Sequence, residues 1–260
     1  MAEKRPLILI TNDDGYEAQG ISSLVETLKD LGDIVVFAPD RPRSGMSCAI
    51  TSDTPLYSKL VKKKNNIPWH VCNGTPVDCV KLALNEFIDR KPDLVISGIN
   101  HGSNAGISVL YSGTVGAAIE GCVFNVPSVA VSLCSNQSNP DFSTACRIAR
   151  KVAIKVLEEG LPRGVCLNVN IPEGEVKGIK IATQTQGKWV NEYYKMQDET
   201  GRDIFRMTGN FENWEDNNHN SDEWALANGY AAIVPVKIDM TAHDFIPHLQ
   251  KWEFQQICSQ

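Results

Sequence analysis

Two adjacent carboxylates, Asp13 and Asp14, lie just beyond the apolar run LILI at residues 7–10. Near the end of a buried strand, each negative charge disfavours ionisation of the other, so the pair needs compensation. Gly15 relaxes the turn and lets both side chains converge on one point. Two hard oxygen ligands at one point suit Mg²⁺, Mn²⁺ or Ca²⁺, and such a cation would relieve the repulsion. The alternative, one aspartate capping the next helix and the other solvated, stays open.

Two further loops carry groups that could complete such a site. Ser44, followed by Gly45, offers a hydroxyl in RPRSGMS, although a Ser-Gly loop alone is more typical of a turn. Asn100 directly follows VISGI, and Asn104 lies between glycines at positions 102 and 106, which would let the backbone approach a ligand closely. His101 lies between the two asparagines, where a lone histidine is more typical of a structural or surface residue.

The segment SGTVGAA, residues 112–118, predicts the start of a helix with Ser112 or Thr114 as its N-cap. Free amides at a helix N-terminus attract phosphate through hydrogen bonds and the helix dipole, although a capped, tightly packed helix explains the same residues. The sequence contains no G-x-G-x-x-G after the first apolar run, no G-x-x-x-x-G-K-[ST] and no G-x-S-x-G. Their absence disfavours a dinucleotide oxidoreductase or a P-loop NTPase.

The elements that must position these loops alternate along the chain. Short apolar runs predict strands at residues 6–11, 33–39, 93–98, 127–133 and 164–172, with weaker ones at 56–60 and 69–71. Apolar residues at helical spacing predict helices at 20–31, 76–88, 114–124 and 141–159. Strands alternating with helices form βαβ units, so we predict an α/β fold whose mostly parallel sheet has helices on both faces.

The pattern changes after residue 172, where we place a domain boundary. Residues 1–172 are predicted to form the metal- and phosphate-binding core, and residues 173–260 a C-terminal hairpin arm with a returning segment. Within the second part we expect an extended hairpin over 178–209 with its turn at 198–203, a polar loop over 211–224, a short helix over 222–228 and a strand over 230–238. Because an isolated hairpin is barely stable in water, the arm is expected to pack on a partner subunit.

Composition limits the binding partners, the cellular location and the cysteine chemistry that we expect. The 260-residue chain has a formal net charge of −6, which argues against binding of long nucleic acid. No apolar run approaches the roughly 20 residues of a membrane span, and the N-terminal apolar patch is too short for a signal peptide, so we expect a cytoplasmic protein. The 8 cysteines are scattered without C-x-x-C pairs, which predicts buried free thiols rather than a zinc site or disulfides.

In open parallel sheets, ligands bind at the carboxyl ends of the strands, in loops where the strand order reverses. Three such loops carry reactive groups: the Asp13–Asp14 turn, the Ser44 loop and the segment from Asn100 to the start of the predicted helix. The three are therefore expected to meet.

Six sequence blocks together resemble one known family in both order and spacing. They are ILITNDDGYEAQGI, APDRPRSG, CNGTPVDCV, VISGINHGSNAG, YSGTVGAAIEG and SDEWALANGYAAIVPV. The chain from about residue 7 to 241 is similar to the SurE family of survival proteins. The resemblance implies a Rossmann-like three-layer core with C-terminal arms exchanged in a homodimer or homotetramer. It also implies a metal-dependent phosphatase that hydrolyses nucleoside 5′- and 3′-monophosphates, in some members also short polyphosphate.

The resemblance, transferred motif by motif, implies a site for one divalent cation. This cation would be Mg²⁺ or Mn²⁺, and Ca²⁺ would be a non-physiological occupant. Its ligands would be Asp13, Asp14, Ser44 and Asn100, and the two aspartates would also be the catalytic residues. The residues implied to bind the phosphate are Asn12, Asn104, Ser112, Gly113 and Thr114.

The sequence is compatible with two mechanisms of phosphate hydrolysis and with two functions other than hydrolysis. A carboxylate could attack phosphorus, but with both aspartates committed to the metal we favour attack by a metal-activated water. A nucleotide- or metal-sensing protein without turnover is one alternative. A metal-dependent glycosyltransferase is another, although it would need a D-x-D pattern and a larger acceptor domain than residues 173–260 offer.

Overall fold

The computed structural model describes residues 5–64, 66–252 and 254. The strands are β1 Leu7–Thr11, β2 Asp33–Pro39, β3 Ser58–Lys64, β4 Ile67–Cys72, β5 Leu94–His101, β6 Ser128–Cys134, β7 Val165–Pro172, β8 Gly178–Ile181, β9 Gly187–Val190, β10 Tyr193–Gln197, β11 Asp203–Met207, β12 Asn210–Asn213 and β13 Tyr230–Lys237. The helices are α1 Gln19–Leu28, α2 Pro76–Leu82, α3 Gly113–Val123, α4 Ser143–Glu159, α5 Asp222–Ala227 and α6 Ile246–Leu249. A π turn at Ala83–Phe87 continues α2, and 3₁₀ turns lie at Gly106–Leu110, His243–Phe245 and Gln250–Trp252.

Nine strands form one sheet in the order β3-β4-β2-β1-β5-β6-β7-β13-β8. Pairing is parallel except between β3 and β4 and between β7 and β13. The chain leaves β1 towards β2 on one side and later crosses to β5 on the other. The strand order therefore reverses at the boundary between β1 and β5, and open α/β sheets bind their ligands at the carboxyl ends of the strands at such a switch point.

Two layers of helix cover the sheet and bury its apolar side chains. On one face, Ile21 and Leu24 of α1 pack with Ala149 and Val152 of α4 over the strands. On the other face, α2 and α3 pack over Leu9, Phe37 and Val95. This arrangement confirms the predicted three-layer α/β fold. Strands that are covered on both faces need continuous apolar runs, and the sequence contains such runs.

A hairpin lies beyond the core, but the predicted bounds of 178–209 were wrong at the start, because β8 at Gly178–Ile181 pairs with β13 in the main sheet instead. Strands β10 and β11 pair antiparallel, from Tyr193 opposite Met207 to Gln197 opposite Asp203. Their turn is closed by a hydrogen bond from the Asp198 amide to the Arg202 carbonyl, 3.0 Å. At the base of this hairpin β12 pairs with β9, so the prediction of a loop throughout residues 211–224 was wrong for 211–213. Polar residues can form a strand here because the ladder to β9 supplies the backbone hydrogen bonds.

The chain after residue 172 contributes to the main sheet as well as to the arm. Strand β13 pairs antiparallel with β7 from Ala232 opposite Asn170 onwards, and β8 pairs with β13. The division of the chain at residue 172 into two domains stays a prediction about folding units.

Smaller differences concern helix ends and thiols. The helix predicted over 76–88 ends as an α-helix at Leu82 and continues as the π turn. All seven cysteines of the described residues are free, but Cys48 is exposed and Cys134 partly so, which corrects the prediction that all are buried. Cys258 lies outside the described residues. None of the helices in the described part of the chain combines the length and apolar character that crossing a bilayer demands.

Candidate functional site

Asp13 lies in the turn after β1 and is only 4% exposed. The Thr114 hydroxyl donates a hydrogen bond to Asp13 Oδ1. Gly113 packs against the same side chain, since a Cβ built there would lie 3.0 Å from the Asp13 Cβ. The N-terminus of α3 therefore abuts Asp13, and its positive dipole end favours a negative charge there.

Asp14 occupies the other side of the turn and is half-buried. Its Oδ2 accepts a hydrogen bond of 3.0 Å from the amide of His101, the last residue of β5. The two carboxylates are thus held by the helix after one strand-end loop and by the end of β5. The turn after β1 thus contacts two of the segments that were expected to meet it, the end of β5 and the start of α3.

Burial dominates the protonation of this pair. Loss of hydration raises the pKa of Asp13 from 3.8 to about 6, and the neighbouring Asp14 adds to the rise although the Thr114 hydrogen bond opposes it. Loss of hydration also raises the pKa of Asp14, against the hydrogen bond from His101. Among the described residues, no lysine or arginine forms an ion pair with either carboxylate. A buried and a half-buried carboxylate, side by side and without a lysine or arginine partner, are an arrangement that a divalent ion relieves.

The Ser44 loop packs directly on this turn. The Arg43 amide donates a hydrogen bond of 2.7 Å to the Asp13 carbonyl, and a Cβ built on Gly15 would lie 3.0 Å from the Arg41 carbonyl carbon. Ser44 itself is exposed. Gly45 has a φ of +73° with open space where a Cβ would stand. The loop therefore brings Ser44 beside Asp13 and leaves room for a ligand over Gly45.

Asn100 and Asn12 present oxygen atoms at the same edge of the sheet. Asn100, at the end of β5 and 8% exposed, donates its amide nitrogen to the Gly102 carbonyl at 2.9 Å, so its oxygen remains for a ligand. Asn12 donates its amide nitrogen to the Gly15 carbonyl at 2.9 Å. Its buried Oδ1 has no hydrogen-bond partner among the described residues.

Two buried hydroxyls that the sequence reasoning did not single out lie on β1 and β5, the two strands that flank the switch point. Thr11 and Ser97 are paired in register on β1 and β5, and both hydroxyl oxygens are buried without a hydrogen-bond partner in the described structure. Polar residues at the ends of two otherwise apolar runs were the available signal. Unpaired buried polar atoms are uncommon in native proteins, so each of these two hydroxyls needs an explanation.

Asn104 is fixed by a buried network of polar side chains. Its amide N–H donates to Asn170 Oδ1 at 2.8 Å, and its carbonyl accepts from Asn168 Nδ2 at 2.8 Å. Its own Nδ2 donates to the Ser132 hydroxyl at 2.8 Å, and Asn170 Nδ2 donates to Asn168 Oδ1 at 3.2 Å. The sequence reasoning missed Asn168 and Asn170, although polar residues alternating through the buried strand LNVNIP were the signal for them.

The start of α3 combines capping with contact to Asp13. The Ser112 hydroxyl accepts a hydrogen bond of 3.0 Å from the Val115 amide and is the N-cap. Thr114, the other candidate cap, instead donates its hydroxyl to Asp13. Of the residues predicted to bind phosphate, Ser112, Gly113 and Thr114 thus lie together beside Asp13.

The donor set fits a hard divalent cation. It comprises two carboxylates, a hydroxyl and an amide oxygen, which are ligands typical of Mg²⁺ and Mn²⁺. In the described part of the chain no group of three or more His, Cys, Asp or Glu side chains could hold a metal. A site with only two carboxylates is compatible with that finding, because its other two ligands are a serine and an asparagine.

The sequence and the fold were compared with those of known proteins. Residues 8–191 match the model of the family described as "Survival protein SurE". The chain is 48% identical over 254 residues to "5'-nucleotidase SurE" of Bacteroides fragilis, covering 97% of this chain and 100% of that protein. It is 49% identical over 250 residues to the same-named protein of Bacteroides thetaiotaomicron, covering 96% of each. The crystal structure of the SurE protein from Aquifex aeolicus superposes with a TM-score of 0.82 at 36% identity, covering 95% of this chain and 100% of that one.

Proposed function

Since this chain belongs to the survival protein SurE family, we propose that it hydrolyses nucleoside 5′-monophosphates to a nucleoside and phosphate. It is a phosphoric monoester hydrolase, and we propose 3′-monophosphates and short polyphosphate as further substrates. The main support for this proposal is the pair Asp13 and Asp14 at the switch point of the sheet: Asp13 is buried, Asp14 is half-buried, and neither has a lysine or arginine partner among the described residues. The N-terminus of α3 lies beside the pair.

The reaction depends on one divalent cation, Mg²⁺ or Mn²⁺, held by Asp13, Asp14, Ser44 and Asn100. When bound, the cation offsets the two carboxylate charges and polarises the phosphoryl group. The unpartnered Oδ1 of Asn12 supports a polar ligand at the same switch point. Ca²⁺ would occupy the site outside its physiological setting.

The side chains then divide the remaining tasks. Ser112 holds the first turn of α3 in place, so that its N-terminal end and Asn104 can receive the anionic phosphate. Thr114 orients Asp13 through its hydroxyl. With both aspartates committed to the metal, we favour direct attack of water on phosphorus over formation of an aspartyl-phosphate. The attack inverts a chiral phosphate and places one solvent oxygen in the product, whereas net retention would establish the covalent route.

Phosphate release tests the proposal. The wild-type protein, Asp13→Asn and Asp14→Asn are each incubated with 5′- and 3′-monophosphates and short polyphosphate, using Mg²⁺, Mn²⁺, Ca²⁺ or EDTA. We expect release by the wild type that EDTA abolishes, and a loss of at least about 100-fold in either variant. Full turnover by either variant with added metal would contradict the metal role. Nucleotide binding without release under any ion would indicate a sensor, and consumption of a nucleotide sugar a transferase.

We further propose a homodimer or homotetramer assembled through the β10–β11 arm, and a location in the cytoplasm. The arm supports the first, because Tyr193, Phe205 and Met207 are 64%, 63% and 70% exposed. The seven free cysteines of the described chain support the second, since thiols persist in a reducing compartment.

A further inference from the structure

A cavity of about 320 Å³ adjoins the candidate site and contains none of its proposed metal ligands. It is lined by Gly45, Tyr111, Trp189, Glu192, Met207 and Thr208. Its volume falls at the lower end of the range of small-molecule sites, roughly 300–1,000 Å³, which suits a part of a ligand rather than a large one.

The cavity begins one residue from the proposed metal and phosphate sites on two separate segments. Gly45 follows Ser44, and Tyr111 precedes Ser112. Consecutive Cα atoms are only about 3.8 Å apart. Hydrogen bonds to Ser47 join the two segments: its amide donates to the Tyr111 carbonyl at 3.1 Å and its hydroxyl to the Leu110 carbonyl at 2.6 Å. A ligand whose phosphate lies at Ser112 can therefore extend into this cavity.

The opposite wall comes from the base of the arm and is held against the core. Trp189 of β9 donates its indole N–H to the Ser108 hydroxyl at 3.3 Å, in the 3₁₀ turn that leads to Tyr111. Its ring packs edge-to-face on Phe211 of β12, with centroids 6.0 Å apart. The indole is thus half-buried and oriented, while the Tyr111 side chain, 56% exposed, leaves its ring available to a ligand.

Two aromatic rings and one carboxylate define what the cavity can bind. Aromatic side chains bind nucleobases by stacking, and a larger planar ring system gains more contact. The Glu192 carboxylate accepts hydrogen bonds and donates none, so it suits a base edge with N–H groups, and the preference for purines follows from their larger ring area alone. We propose that this cavity is the base-binding subsite and that Tyr111 and Trp189 make the protein prefer purine over pyrimidine nucleoside monophosphates, an inference that rests on the proposed function.

Kinetics on substrates with and without a base test the subsite. kcat/KM is measured for AMP, GMP, CMP, UMP and ribose 5-phosphate with the wild type, Tyr111→Ala and Trp189→Ala. We expect the wild type to favour purines at least tenfold. Each variant should lose about 10- to 100-fold on AMP and GMP, chiefly through KM, and much less on ribose 5-phosphate. Trp214→Ala is the matched control, because Trp214 is exposed and outside the cavity.

Two results would overturn the subsite. One is an equal loss on AMP and ribose 5-phosphate in both variants, and the other is no loss on either substrate. Truncation of Trp189 could disturb its packing on Phe211, but the exposed Tyr111 ring can be removed without that risk.

Equilibrium dialysis of adenosine in EDTA separates the subsite from catalysis, because it needs neither phosphate nor metal. Adenosine should bind the wild type and the Trp214→Ala variant. It should bind the Tyr111→Ala variant at least tenfold more weakly. If no monophosphate is hydrolysed but this binding pattern holds, the proposed function fails and the base site stands. If monophosphates are hydrolysed but adenosine binds all three proteins equally or none of them, the base site fails alone.

Discussion

The burial of Asp13, a proposed metal ligand, opposes the stability of the fold at neutral pH. Its carboxylate lies at a strand end, 4% exposed, with a pKa raised by burial to about 6. Folding therefore favours the protonated form. At neutral pH without a metal ion, the folded protein must hold a charge that the unfolded chain would leave in water.

The raised pKa of Asp13 predicts that the stability of the metal-free protein depends on pH. The folded state binds more protons than the unfolded state between the ordinary pKa of 3.8 and about 6, so stability falls as the pH rises through that window. At about 1.4 kcal/mol per pH unit, the cost at neutral pH is on the order of 3 kcal/mol. In EDTA, Asp13→Asn should unfold at a higher temperature than wild type at about pH 7.5, and the difference should shrink towards pH 4.

Thermal denaturation at both pH values measures this difference, with an exposed carboxylate variant, Asp53→Asn, as the control for general charge effects. A destabilised Asp13→Asn at neutral pH would contradict the prediction. Added Mg²⁺ should stabilise the wild type and not the variant, because only the wild type retains both carboxylate ligands.

The asparagine network makes a second prediction at this scale. Asn170→Ala would leave the Asn104 amide, now bonded at 2.8 Å, buried without an acceptor. We expect a loss of about 1–3 kcal/mol of stability and a fall of about 10- to 100-fold in kcat/KM, since a shift of about 1 Å in Asn104 misplaces the phosphate.

A buried hydrogen bond at the opposite end of the sheet provides the comparison. Ser128 begins β6 and donates its hydroxyl to the Val126 carbonyl at 2.8 Å. Ser128→Ala should lower stability without changing kcat/KM by more than about twofold. If Asn170→Ala likewise affected stability alone, Asn104 would have no part in holding the phosphate.

Among the elements, the two serine caps offer a matched pair. Ser112 caps α3 and Ser221 caps α5. Each hydroxyl accepts a hydrogen bond from the backbone amide three residues later in the chain, at 3.0 Å for Ser112 and 3.3 Å for Ser221. Both serines are buried.

Ser112→Ala and Ser221→Ala should each lower the free energy of unfolding by about 1 kcal/mol, measured by urea denaturation. Only Ser112→Ala should also raise KM for monophosphates by about tenfold, because α3 alone starts at the candidate site. Equal KM values would exclude the α3 N-terminus from phosphate binding.

The main strands were predictable because each is buried on both faces and reads as an apolar run, as in LILI before Asp13 or VAVSL in β6. The strand-end rule then selected the three loops that meet at Asp13. Strand β12 was not predictable from its polar residues, because its partner β9 is distant in sequence and pairing alone holds it. The contacts of Asn104 with Asn168 and Asn170 were hidden for the same reason, since they join β5's loop to β7.

On the scale of the whole molecule, one sheet serves both the site and the arm. Strand β13 returns from the arm to pair with β7, the strand that carries Asn168 and Asn170. The same returning segment contributes Asp222, whose carboxylate accepts hydrogen bonds from the Gly106 amide, 2.9 Å, and the Thr185 amide, 2.9 Å. The arm is thereby tied to the loop that follows Asn104, and its base reaches the proposed base-binding cavity.

Beyond its base the arm has little to pack against within one chain. Side chains alternate between the two faces of β10 and β11, and apolar residues are exposed on both: Tyr193 and Phe205 on one, Tyr194 and Met196 on the other. A two-stranded hairpin with two exposed apolar faces is marginally stable at best by itself, so we expect a second copy of the chain to cover it.

We therefore expect light scattering to give the mass of a dimer or tetramer for the wild type. The double substitution Met196→Ser and Phe205→Ser removes one apolar side chain from each face without touching the cavity, and should shift the mass towards that of a monomer. Phe245→Ser, at a comparably exposed aromatic outside the arm, should leave the mass unchanged. A monomeric wild type would refute assembly through the arm. An unchanged mass of the double variant would place the interface elsewhere, because loss of both apolar faces leaves the hairpin nothing with which to hold a partner.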